Sequence, residues 1–160
     1  QQGACVPIIC MMENQTAAPV WLERIRATGA RATPARLAVL TLMAGADHAM
    51  SHHDVEQALA AQGFDRVTLY RVLDWAVEIG FAHKIVDADR VWRFSLASAT
   101  AAAHREHAHF RCDACGKVFC LEDISVQAPA LPAGFSGKTV EFFIIGQCDR
   151  CDDGLPKDGL

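Results

Sequence analysis

The sequence predicts an α+β chain in two parts, a helical domain closed by a β-hairpin and a smaller mixed α/β domain organised around cysteines. Three observations predict it. Between residues 21 and 80, four stretches carry apolar residues at helical spacing, each with a start or stop signal. From Phe81 to Leu96 the pattern changes to β-forming residues on either side of a polar turn. Past an alanine-rich stretch, two Cys-x-x-Cys pairs each stand just beyond a run of strand-forming residues.

The elements follow in order. Trp21, Leu22 and Ile25 share one face of a first helix, which Gly29 stops. Thr33 caps a second, with Pro34 in its first turn and Leu37, Leu40 and Met43 on its apolar side. Ser51 and Asp54 form a weak capping box for a third, which buries Val55, Ala58 and Leu59 and ends near Gly63. Asp65 caps a fourth over Val67 to Ile79, ended by Gly80. There Leu69, Val72, Leu73, Ala76 and Val77 face inward, leaving Thr68, Tyr70, Arg71 and Asp74 outside. Lys84–Val86 and Val91–Leu96 form a hairpin around Asp87-Ala88-Asp89, and helices followed by a hairpin are the plan of a winged helix. Ala97–Ala103 is small and low in complexity, a natural linker. Further strands are expected at His107–Arg111, Lys117–Leu121 and Thr139–Gly146. Between the last two, Pro129 and Pro132 limit any helix to about one or two turns. The boundaries are therefore a winged-helix domain at 13–96, a linker at 97–104 and a second domain at 105–152.

Composition narrows the function classes. With 51% hydrophobic and 21% charged residues, the 160-residue chain is globular, with room for one ordinary or two small domains. No apolar run reaches a membrane span; Ala4–Met12 is too short, contains Pro7 and lacks the positive leader of a secretory signal. Residues 1–10 precede Met11 and Met12 and are expected to be a read-through remnant without function. Seven cysteines without an export signal suit a metal site in a reducing cytoplasm better than a disulfide framework. The net charge of −4 is awkward for a nucleic-acid binder, but Arg24, Arg26, Arg31 and Arg36 stand close together and offer a cationic edge.

Cys112-Asp-Ala-Cys115 and Cys148-Asp-Arg-Cys151 are two knuckles able to present four thiolates to one tetrahedral ion, the arrangement of closed structural zinc sites. A thioredoxin-type redox pair occurs once and opens a helix, so it fits less well than metal; buried, unliganded cysteine is the plainer rival. Such a closed site has an architectural role and no open position for catalysis. Cys120 is left over. His107 and His109 are two apart on a strand and point the same way. With His83 at the start of the hairpin they make a second tetrahedral set of three nitrogens and one sulfur. That set favours zinc over Fe²⁺ or Mn²⁺. Two zinc ions per chain are expected, one structural and one regulatory.

Arg31-Ala-Thr-Pro-Ala-Arg36, Val67-Thr-Leu-Tyr-Arg-Val-Leu73 and His107-Ala-His-Phe-Arg-Cys-Asp-Ala-Cys-Gly-Lys117 stand in this order within residues 19–152. Together they resemble the ferric uptake regulator family, and within it the zinc uptake regulators. The resemblance implies a homodimeric repressor of metal-uptake genes that binds a double-stranded DNA operator and uses neither membrane nor small-molecule substrate. It places Tyr70 and Arg71 in the groove, with Thr68, Arg31 and Arg36 as further DNA contacts. The zinc subtype follows from departures: Ala108 stands where iron-type members carry Asp, and Cys120 where a glutamate ligand is usual. Gly80-Phe-Ala-His83-Lys-Ile85 is similar to the zinc branch, whose sensor cysteine near the hairpin is nevertheless replaced here by Phe94 and alanines. Cys120 is expected to supply that thiolate, with His104, His52, His53 and Glu122 as reserve ligands.

In the expected switch, His83 belongs to the reader domain and the other three ligands to the dimerisation domain. Bound zinc would clamp the two at the angle that suits successive major grooves. The alternatives are an iron-, nickel- or peroxide-responsive member of the same family, an adaptor with purely structural zinc, and a zinc hydrolase. The hydrolase needs Glu106 or Glu122 as base and an open coordination position.

Overall fold

The computed structural model describes residues 18–86, 89–97, 107–127, 129–137 and 140–151, with the backbone alone for His107, Glu122, Asp123 and Ser125. Residues 1–10, His104, Glu106 and the linker beyond Ala97 lie outside the described residues. The chain divides between Ala97 and Ser98 into two compact units.

In the first unit, α1 is helical over residues 18–27, and α2 spans Pro34–Ala44. The Thr33 hydroxyl accepts from the Arg36 N–H at 3.3 Å, and Pro34 sets the first turn. A two-residue strand β1, Met50–Ser51, leads into α3, His52–Ala58, and a 3₁₀ turn at Ala60–Gln62. Helix α4 runs Arg66–Glu78 behind the Asp65 cap. It closes at Gly80, whose φ of 77° is the left-handed conformation glycine adopts without strain. Phe81 then turns back between Trp21 and Trp75, with ring centroids 5.6 and 6.0 Å away. Strands β2, Ala82–Val86, and β3, Trp92–Leu96, pair antiparallel, with His83 opposite Ser95 and Val86 opposite Trp92. β1 adds to the far side of β3, giving the order β1-β3-β2. A strand this short has no readable period, so the hairpin expected from sequence proves to be a three-stranded sheet. Helices and sheet enclose one core centred on Ile25, Leu40, Val55, Leu69, Leu73 and the fully buried Phe94.

The capping box at Ser51 is complete. Asp54 Oδ2 accepts from the Ser51 N–H at 2.7 Å and from Ser51 Oγ at 2.8 Å, while Ser51 Oγ accepts from the Asp54 N–H. Burial alone would raise the Asp54 carboxyl, but the two Ser51 donors and the Arg93 guanidinium outweigh it and hold the group below the usual carboxylate range. A depressed folded pKa gives stability that is present above the unfolded value and lost as pH falls through the folded one. Asp54→Asn is therefore expected to destabilise the first unit by about 1 kcal/mol at neutral pH. In urea titrations at successive pH values, the gap between variant and wild type should start to close below about pH 4. A gap independent of pH would show that the carboxylate charge contributes nothing.

In the second unit, β4, His107–Cys112, is the middle strand of the order β5-β4-β6. It pairs antiparallel with β5, Val118–Ser125, and parallel with β6, Phe142–Gly146. The described residues between β5 and β6 are irregular, in keeping with Pro129 and Pro132. Among its described residues, Ala108, His109, Cys112, Val118 and Cys148 are buried. Among the described residues, no helix is long and apolar enough to cross a membrane.

Candidate metal centre and nucleic-acid interface

The first knuckle forms because β4 ends in a tight turn. The Cys112 N–H donates to the Lys117 carbonyl and the Gly116 N–H to the Cys112 carbonyl, both at 2.9 Å. The Asp113 N–H donates to the Gly146 carbonyl at 2.9 Å, which ties this turn to the end of β6 and so to the second knuckle. There the Cys148 N–H points at Cys112 Sγ, 3.4 Å away, and the Cys151 N–H closes a turn on the Cys148 carbonyl. The four thiols of Cys112, Cys115, Cys148 and Cys151 converge, with all Sγ atoms within 4.8 Å of one another. Cys115 and Cys148 Sγ are 3.9 Å apart, too far for a disulfide and close to the roughly 3.8 Å edge of a tetrahedral zinc–thiolate site.

The electrostatics of the cluster are one-sided. The N–H groups of Cys115 and Cys148 lower the Cys112 thiol to about 6, whereas the neighbouring Cys148 and Cys115 thiols raise the Cys151 thiol to about 12. The turns thus stabilise one thiolate, and a divalent cation is what allows four to ionise together. Donor type, number and spacing fit zinc. An ion held by all four thiolates would have every position taken by sulfur and no place for a substrate.

A second donor pair lies elsewhere on the same sheet. His109 faces Cys120 across the β4–β5 ladder, and their ligand atoms lie within 4.8 Å of each other. His109 is 8% exposed and its ring lies 5.3 Å from that of Phe143. His107 pairs with Ser125, and a register shift falls between it and Ala108, interrupting the alternation from which a shared face was expected. The His107 side chain lies outside the described residues. His83 stands in β2 of the first unit. His52, a reserve ligand by sequence, stacks on Tyr70 at 4.0 Å and on the edge of Phe94 at 4.7 Å. Burial lowers its pKa against the opposing charge of Asp74. Phe94 itself, at the position where a sensor cysteine was sought, is core.

The exposed face of α4 carries Arg66, Val67, Arg71 and Asp74. Arg71 is exposed and has no carboxylate or ring partner among the described residues. Tyr70 is half-buried on His52, and its hydroxyl accepts from Arg66 Nε at 3.0 Å. Arg66 in turn is 3.2 Å from Glu56. Thr68 is half-buried and gives both its N–H and its hydroxyl to the Asp65 cap. Arg31 is exposed, whereas the Arg36 guanidinium lies 3.9 Å over the Trp75 ring and donates to the Arg31 carbonyl at 2.7 Å. Sequence reading missed the Arg66–Tyr70 and His52–Tyr70 contacts. The i, i+4 spacing of Arg66 and Tyr70 was the available signal for the first.

Comparison with known proteins gives a consistent result. The model of the ferric uptake regulator family matches residues 27–133. The zinc uptake regulation protein of Escherichia coli (strain K12) is 32% identical over 127 residues, spanning 76% of this chain and 72% of that protein. Among solved structures, a zinc uptake regulator complexed with zinc and DNA aligns with a TM-score of 0.61 at 28% identity, covering 86% of this chain and 94% of that one. The Vibrio cholerae ferric uptake regulator shares the fold, with a TM-score of 0.57 at 19% identity over 79% of this chain and 98% of its own.

Proposed function

The chain belongs to the ferric uptake regulator family, and from that premise we propose that it is a zinc-responsive, DNA-binding repressor of metal-uptake genes. The observation that carries the metal response is the pairing of His109 with Cys120, a nitrogen and sulfur donor set separate from the closed four-thiol cluster. A thiolate with imidazole favours zinc over Fe²⁺ or Mn²⁺, which want oxygen ligands. The similar proteins named for zinc uptake, one of them solved with zinc and DNA, support the same choice. The four-cysteine cluster holds a permanent zinc, and His109 and Cys120 begin the regulatory site. Of the two further donors that the sequence offers, His107 is on the same strand and His83 belongs to the reader. A metal that recruits both would couple DNA affinity to zinc occupancy.

DNA binding rests on α4, with Arg71 and Tyr70 toward base edges and Thr68 near the backbone at its start. Arg31 reaches a phosphate, and Arg36 holds the Arg31 segment in place. Two copies act together: β6 is an edge strand with Ile144 and Ile145 exposed, an apolar edge that suits association with a second chain. The proposed site of action is the cytoplasm, where the thiols stay reduced.

Zinc stoichiometry and DNA titrations on the wild type and on Cys120→Ser test the metal response. The wild type should hold two zinc ions per chain and gain about 5- to 150-fold in DNA affinity when the second binds. Cys120→Ser should hold one and show no gain. If the variant keeps both ions and the full response, Cys120 is not a ligand.

A further inference from the structure

Helices α3 and α4 meet through two matched pairs of side chains, each pair four residues apart. On α3 these are His52 and Glu56; on α4 they are Arg66 and Tyr70. Residues at i and i+4 share a helix face, so one pair can engage the other. The His52 and Tyr70 ring centroids are 4.0 Å apart, and Arg66 Nε lies 3.2 Å from Glu56. Arg66 Nε also donates to the Tyr70 hydroxyl at 3.0 Å, which closes the bracket.

These contacts are unequal. The Arg66 and Glu56 side chains are 63% and 37% exposed, and an ion pair in that setting contributes little. His52 is better anchored. It is the first residue of α3, directly after the Ser51–Asp54 capping box, and Arg93 lies 3.7 Å from Asp54. Its ring meets the fully buried Phe94 edge-on, with centroids 4.7 Å apart. Phe94, His52 and Tyr70 thus form a column of rings leading from the core out to α4. A tyrosine on a helix surface otherwise moves between rotamers, and ordering it during binding costs free energy. Here the ring is ordered in advance.

We propose that His52 is a positioning residue for DNA recognition, its ring holding Tyr70 in the orientation that meets the duplex. The proposal rests on the reading of this chain as a DNA-binding protein that uses Tyr70. The effect of His52 passes through the tyrosine ring and not through a DNA contact of its own.

A double-mutant cycle separates this role from simple support of the fold. Zinc-loaded wild type, His52→Ala, Tyr70→Ala and the double variant would be titrated with a duplex selected for wild-type binding. His52→Ala should bind about two- to twelvefold more weakly, the value of one side chain ordered in advance. In the Tyr70→Ala background the same change should have no further effect. His52→Phe, which keeps a flat ring, should recover most of the affinity. Tyr70 is the one tyrosine in the chain, so ring-labelled protein reports it directly in NMR spectra taken without DNA. In His52→Ala its signals should move toward those of free tyrosine, and in His52→Phe they should stay displaced from them. Equal losses from His52→Ala with and without Tyr70 overturn the proposal, because His52 would then act on the fold alone. Wild-type affinity in His52→Ala, with the tyrosine signals moved, overturns it as well. If the wild type selects no duplex, the DNA-binding reading itself fails and the proposal with it.

Discussion

Cys148→Ser is expected to lose one zinc per chain and, with it, the order of the whole second unit. The reason is the share of the cluster's cysteines among the groups that hold that unit. Beyond the strand ladders, its buried residues among those described are Ala108, His109, Cys112, Val118 and Cys148, two of them cysteines of the cluster. Small domains are marginal on their cores alone, and structural zinc in them contributes on the order of 10 kcal/mol. Cys148 is central, since its N–H points at Cys112 Sγ and its own sulfur lies 3.9 Å from Cys115. The variant should become protease-sensitive beyond Ala97, fail to dimerise and retain most of its helical circular dichroism, because the described helices belong to the first unit. A strong chelator should bring the wild type to the same state. If Cys148→Ser keeps its full zinc content and resists protease as the wild type does, the four-thiol cluster is not a metal site.

The helices were legible because each combines a period with a stop: Thr33 and Asp65 cap as expected, and Gly80 closes α4 in the left-handed conformation. β1 was not legible. Two residues have no periodicity, and Met50–Ser51 becomes a strand only because β3 offers it an edge. The parallel pairing of β6 with β4 was equally hidden, since sequence order does not say which edge a returning strand joins.

The site divides along the same line. Four thiols at paired spacing announce their convergence, because a Cys-x-x-Cys turn brings its own two sulfurs together and the strands need only align the turns. His109 opposite Cys120 depends on register, which the sequence suggests but does not fix. The expectation for His107 assumed a regular strand, and the register shift at Ala108 removes that assumption. Arg36 carried the same appearance as Arg31 in sequence, a cation near a helix start. Only the position of Trp75 on α4 distinguishes the one that packs from the one that stays exposed.

Arg71→Ala is expected to weaken binding to the selected duplex by about 5- to 150-fold, the value of one good bidentate arginine contact to a guanine edge. The size follows from what surrounds the residue. Arg71 is exposed on α4 without a partner among the described residues, so in the free protein its removal breaks nothing. Stability should stay within about 0.5 kcal/mol of the wild type, and zinc content should be unchanged. The neighbouring Tyr70 differs, since its ring packs on His52 and its hydroxyl accepts from Arg66. Removing it would confuse loss of contact with loss of support. Arg71 is therefore the cleaner probe of what α4 reads. A base-edge contact predicts that the variant loses preference at one base pair of each half-site while its affinity for scrambled DNA hardly changes. A phosphate contact predicts an equal loss on selected and scrambled duplexes and a lower salt slope. Wild-type affinity and base preference in Arg71→Ala would mean that this face of α4 does not enter the groove. The DNA contacts would then have to come from the α2 entry around Arg31.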